Sequence, residues 1–230
     1  MGIAIKRLGV LLAAGPVSKG FIEARVKIEE ALREGYSVYL YAVDEGVLGL
    51  AEWQKLKGVH CFGCAFSARQ RELELEESII YGGLSLLSDL WASVEWAMNV
   101  TKRGGCSSII EVSQEPEKKR KILLEVTGDL RIEEQSREAI RIAAGVQVWH
   151  RVDINLLFRG EGVICLDEKF LIENEVIRKD LTLLEKEKSK FLADYTALKE
   201  QDITPTIGVD VLSVGEIDRW EKTVSWTVVF

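Results

Sequence analysis

Two thiols three residues apart sit in Gly58-Val59-His60-Cys61-Phe62-Gly63-Cys64-Ala65-Phe66-Ser67-Ala68-Arg69. They follow a short apolar run and precede a helical pattern, expected over Ala65–Ile80. The thiolate is the reactive form of cysteine, and a helix start next to cationic side chains favours it. Cys64 should sit where strand becomes helix, facing amide donors and the positive end of the helix dipole. Arg69 and Arg71 add positive charge, and the acidic run Glu72, Glu74, Glu76 and Glu77 should face solvent. Cys61 has two readings: a resolving thiol that closes a disulfide with Cys64, or a buried strand residue. His60 reads first as a satisfied strand residue, and second as a group that lowers the Cys64 pKa. His60, Cys61 and Cys64 offer three metal ligands where structural zinc wants four, so no metal is expected.

Gly15-Pro16-Val17-Ser18-Lys19-Gly20 has the look of a phosphate loop but lacks its Gly-Lys-Ser/Thr ending, so no nucleotide cofactor is expected. As a loop after the first strand it would lie at the carboxyl edge of a sheet, lining the thiol pocket. Cys106 and Cys165 read as incidental, and His150 and the six tryptophans as structural.

The elements that must position these residues occur twice. Each half opens on an apolar strand, Leu8–Leu12 and Ile122–Val126. A helix follows: Phe21, Ala24, Ile28, Ala31 and Leu32 keep helical spacing up to Gly35, and Arg137–Trp149 plays that part in the second half. Next come strands Ser37–Val43 and Ile154–Phe158. Glu45-Gly46-Val47 and Glu161-Gly162-Val163 follow them. Asp89-Leu90-Trp91 with Trp96 closes the first half, and Asp218-Arg219-Trp220 with Trp226 the second. Strand–helix alternation of this kind predicts mainly parallel sheets flanked by helices. The expected organisation is an α/β chain of two tandem domains, 1–103 and 121–230. A polar linker over 104–120 joins them and could hold a short strand at Ile109–Val112. A charged helical insertion over about 167–201 sets the second half apart. Its stripe Ile177, Leu181, Leu184, Lys188, Phe191, Tyr195, Leu198 follows heptad spacing, for packing on its own domain or for a partner. Aligning Asp202–Val209 on the first-half thiol segment puts Pro205 and Gly208 where Cys61 and Cys64 stand.

Bulk properties narrow the function classes. The chain has 230 residues, is 47% hydrophobic and carries a net charge of −7. A chain this acidic lacks the electrostatic footprint of direct nucleic-acid binding. Four unevenly spaced cysteines do not make a disulfide framework. Lys6-Arg7 before Leu8–Gly15 imitates a signal peptide, but Lys121–Gly128 repeats the pattern in mid-chain, so both read as strands. No apolar run approaches the ~20 residues of a membrane span. A reducing cytoplasm is the expected setting.

These features together resemble the DsrE-like sulfur-relay family, which includes the DsrE/DsrF/DsrH and TusB/TusC/TusD subunits. The first half is similar to the DsrE or TusD type through Gly15-Pro16, Asp44-Glu45-Gly46-Val47, and Cys64 followed by Ser67-Ala68-Arg69 and Arg71. The second is similar to the DsrF or TusC type through Arg137-Glu138-Ala139 and Glu161-Gly162-Val163. The resemblance implies a tandem fusion of two DsrE-like domains, the second degenerate, with Cys64 carrying sulfur as a persulfide. Gly15, Pro16, Asp44, Glu45, His60, Ser67, Arg69 and Arg71 would line or tune its pocket. It further implies a TusA-like carrier or a persulfide donor protein as partner, and a homo-oligomer, trimer or dimer. Cys61 and the fusion depart from the family pattern. Two other functions compete: a thiol–disulfide switch using both cysteines, and a non-catalytic assembly module.

Overall fold

Strand β1 (Lys6–Leu12) is buried from Leu8 onward and has parallel neighbours on both sides, β2 (Tyr36–Ala42) and β5 (Trp96–Thr101), as central parallel strands do. The computed structural model describes residues 6–74, 78–112 and 119–230. It divides between Gln114 and Glu115 into two units, each with its own sheet. Both are mixed α/β, with mostly parallel strands and helices packed against them.

In the first unit β1 leads to α1 (Lys19–Arg33), which starts at Ser18, whose hydroxyl accepts from the Phe21 amide at 3.2 Å. Gly35 ends it at φ +85°. There follow β2 (Tyr36–Ala42), a 3₁₀ turn over Asp44–Gly49, α2 (Leu50–Trp53), β3 (Val59–Cys64), α3 (Ala65–Gln70), β4 (Ile80–Gly82), α4 (Leu84–Ser93) and β5 (Trp96–Thr101). The order β4-β3-β2-β1-β5 is parallel throughout. Then β6 (Gly105–Cys106) and β7 (Ile110–Glu111) pair antiparallel with β5. Part of the stretch read as linker is therefore sheet. One face of the sheet buries Leu8, Val10, Leu12, Val38 and Leu40 against Phe21, Ile28 and Trp53.

The second unit runs β8 (Lys121–Val126), α5 (Glu134–Gln147), β9 (Asp153–Phe158), a 3₁₀ turn over Gly160–Leu166, α6 (Glu168–Glu173), α7 (Glu175–Lys186), β10 (Phe191–Asp194), α8 (Tyr195–Glu200), β11 (Asp210–Leu212), α9 (Val214–Glu221) and β12 (Trp226–Val229). Its order, β11-β10-β9-β8-β12, is the path of the first five strands again.

The repeated Gly-Val landmark has one physical cause in both units. A Cβ on Gly46 would stand 2.1 Å from the Leu12 carbonyl oxygen, and one on Gly162 would stand 2.1 Å from that of Val126. The turn after the second strand lies so close to the end of the first that only glycine fits.

Three expectations are corrected. The helix after Cys64 stops at Gln70 rather than Ile80, and Glu72 turns left-handed at φ +51°. Crowded acidic residues oppose its continuation. Glu72 and Glu74 are exposed; Glu76 and Glu77 lie outside the described residues. Second, the stretch 167–201 is not helical throughout. Ile177, Leu181 and Leu184 are buried on α7, which packs on α5 of its own unit. The chain then reverses at Lys188 (φ +64°), and Phe191 begins a strand. The heptad spacing was carried across a turn and a strand by coincidence of period. Third, β10 is the counterpart of β3. Gly63 pairs with Ala42 at the end of β2, and Ala193 pairs with Phe158 at the end of β9. Asp194, not Gly208, thus holds the place of Cys64, and Phe191 that of Cys61. Pro205 and Gly208 lie in the loop between α8 and β11.

Candidate functional site

Cys64 is the last residue of β3 and the N-cap of α3, at the carboxyl edge of the first sheet. That edge is where parallel α/β sheets gather their reactive groups. The thiol is buried, at 1% exposure. On one side β3 pairs with β2, whose chain continues into Val43 and Asp44. On the other side Cys64 pairs with Gly82 of β4. The Tyr41 hydroxyl donates to the Gly83 carbonyl at 2.9 Å and closes that side.

The Asp44–Gly49 turn is bound to the start of α3. The Ser67 hydroxyl accepts from the Asp44 amide at 3.0 Å. Arg71 pairs with the Asp44 carboxylate and reaches the Ser67 carbonyl. Asp44 is buried and left-handed at φ +49°, a conformation that Asp tolerates better than most residues. The equivalent place after β9 is held by Gly160, at φ +51°.

A second group forms around Glu45. Its carboxylate packs on Gly15, where a Cβ would lie 3.1 Å from Oε2. Lys102 donates to Glu45 Oε1 at 2.7 Å. Pro16 lies against the end of the same turn at Gly49. The loop after β1 and the turn after β2 thus meet at the edge that carries Cys64.

Of the residues singled out by sequence, Gly15, Pro16, Asp44, Glu45, Ser67 and Arg71 gather at this edge. Three do not join them. His60 is exposed and stacks on Tyr39 at 4.8 Å. It is four strand residues from Cys64, about 13 Å along the chain. Arg69 is exposed on α3. Cys61, an odd number of residues from Cys64, points to the opposite sheet face, where it packs on the core with Leu56 and Val59. Burial pushes its thiol up to about 12. The three ligands His60, Cys61 and Cys64 therefore do not converge. Cys165 is wholly buried and its thiol is pushed well up by desolvation, while burial outweighs Lys27 in raising that of Cys106. His150 lies 3.5 Å from the Glu187 carboxylate.

Lys102 and Tyr41 were missed by sequence reading, because their partners lie 57 and 42 residues away. A further group, in the second unit, had a visible signal: Glu125 is a lone charge in Ile122-Leu123-Leu124-Glu125-Val126.

No family model matches the chain, and no curated protein matches it. Among solved structures the chain is similar to the E. coli ychN protein, at 16% identity and a TM-score of 0.42, covering 48% of this chain and 99% of that one. No described helix is long and apolar enough to cross a membrane.

Proposed function

We propose that this chain is a sulfur carrier of the DsrE type, built as two tandem DsrE-like domains, in which Cys64 holds a persulfide sulfur. The observation that carries the reading is the placement of Cys64. It caps a helix at the carboxyl edge of a parallel sheet, beside a turn fastened by Ser67 and Arg71. The residues of the family resemblance, Gly15-Pro16, Asp44-Glu45-Gly46-Val47 and Ser67 with Arg71, are the ones that meet there. In the step proposed, the Cys64 thiolate attacks the outer sulfur of a donor persulfide. The donor S–S bond breaks, the donor thiolate leaves and takes up a proton, and a Cys64 persulfide forms with no net redox change. A partner thiol reverses the process. The partner is a TusA-like carrier or a persulfidated donor protein, in tRNA thiolation or dissimilatory sulfur metabolism. The setting is the cytoplasm and the assembly a homotrimer or dimer.

A disulfide switch between Cys61 and Cys64 fits less well, since the two side chains take opposite faces of β3 and the Cys61 thiol is raised to about 12. The test is intact mass after treating the reduced protein with polysulfide, or with thiosulfate plus a persulfide donor. Wild type and Cys61→Ser are expected to gain reductant-labile sulfur, ~32 Da per atom, and Cys64→Ser none. Loss of two hydrogens requiring both cysteines would establish the switch instead. No mass change would leave the assembly module.

A further inference from the structure

The second unit puts a different chemistry where the first has its thiol. Asp194 ends β10 as Cys64 ends β3. Glu125 stands on β8 where Leu11 stands on β1, and Arg159 follows β9 where Val43 follows β2. Arg159 reaches three carboxylates: Nη1 is 3.5 Å from Glu125 Oε2 and 3.9 Å from Glu221 Oε1, and Nε is 3.7 Å from Asp194 Oδ2. These groups come from four elements: β8, the segment after β9, β10, and the last residue of α9. Glu125 and Asp194 are buried, at 6% and 8% exposure.

One guanidinium cannot neutralise three carboxylates. Arg159 and Glu221 keep about a third of their side chains exposed, at 34% and 33%, but ionised together the four groups would leave two uncompensated negative charges around the buried Glu125 and Asp194, which burial opposes. Asp194 also caps α8, its Oδ1 accepting from the Thr196 amide at 2.8 Å. Among the described residues, Arg159 is the cation that acts on Glu125. Val229 of β12 and Leu157 of β9 flank it in register. On α9, Asp218 and Arg219 are exposed, and Glu216 is turned back to cap Ser213.

The geometry points to a proton-operated latch: a proton shared between Glu125 and Glu221 lets Arg159 hold the sheet edge and the end of α9 together, and its loss loosens them. Desolvation, and next the hydrogen bond with Glu221, push the Glu125 carboxyl up to about 7 against the pull of Arg159. Its folded value lies above the ordinary 4.5, so the stabilisation is complete below 4.5 and is lost as pH rises through 7. Most paired carboxylates behave in the opposite sense.

The test uses the full chain, with hydrogen exchange of the α9 and β8 amides, corrected for intrinsic rates, from pH 5.5 to 8.5. In wild type the opening equilibrium is expected to rise about thirtyfold over this range, nearly all of it below pH 7.5. Glu125→Gln keeps the hydrogen-bonding shape without the titration and should abolish the rise. Glu221→Gln should move its midpoint to lower pH. A flat wild-type profile would overturn the proposal, as would a rise surviving in Glu125→Gln. If that variant does not fold, an unmoved midpoint in Glu221→Gln overturns it.

Discussion

Asp44 combines two costs, a left-handed backbone and a buried carboxylate. A left-handed residue with a Cβ costs about 1 kcal/mol. Arg71 offsets the burial, and the Ser67 hydroxyl takes the Asp44 amide. The two substitutions that remove the carboxylate should therefore differ. Asp44→Ala loses the ion pair and keeps the strain, for a loss of about 3 kcal/mol. Asp44→Gly loses the same pair but relieves the backbone, and should be less destabilised by about 1 kcal/mol. Urea titration of the two variants side by side measures that difference. Equal midpoints would mean that the turn does not hold the left-handed conformation. In sequence, Asp44-Glu45 reads only as the start of the Gly46-Val47 turn that the family resemblance places at the thiol pocket. Neither its strain nor its partner at position 71 is a local property, so neither could be read there.

At the scale of elements, local chemistry was legible and long-range pairing was not. Strands β1, β2, β8 and β9, helices α1 and α5, and the two Gly-Val turns follow from apolar runs, helical spacing and glycine. The placement of Cys64 at a strand-to-helix junction followed as well. The α7 stripe misled, because Phe191, Tyr195 and Leu198 continue its spacing while the backbone has already turned at Lys188. Periodicity records which side chains are apolar and is blind to a single reversed residue. The burial of Cys64 was also hidden, since Tyr41 and the Gly82-Gly83 segment come to it from other strands. The shared turn gives a matched pair of tests. Gly46→Ala and Gly162→Ala each push a methyl group into a backbone carbonyl that cannot step aside. Each should cost about 3 kcal/mol. Denaturant unfolding of both variants checks this. A change under about 0.5 kcal/mol in either would show that its turn does not lie against the first strand.

The whole molecule holds two units on one strand path with different contents at one position, a thiol in the first and a carboxylate cluster in the second. Each has its own sheet and buried side chains. Chains spanning 1–112 and 119–230 should therefore each fold. Each should melt cooperatively by near-ultraviolet circular dichroism, using Trp91 in the first and Trp226 in the second as reporters. A fragment without a thermal transition would show that its unit depends on the other. Under the proposed function, sulfur loading should stay with the first fragment.

The cover over Cys64 also has a kinetic meaning. A thiol at 1% exposure reacts no faster than its surroundings open. Once a reagent is plentiful, adding more of it gains nothing, because the protein's own motion sets the tempo. Small oxidants meet the same barrier as large ones, so a stored sulfur would be guarded by a closed door rather than by a scarcity of visitors. A cognate partner would then be the protein able to prise apart the Asp44 turn or the Gly82-Gly83 segment, and recognition would lie in the opening rather than in the sulfur chemistry.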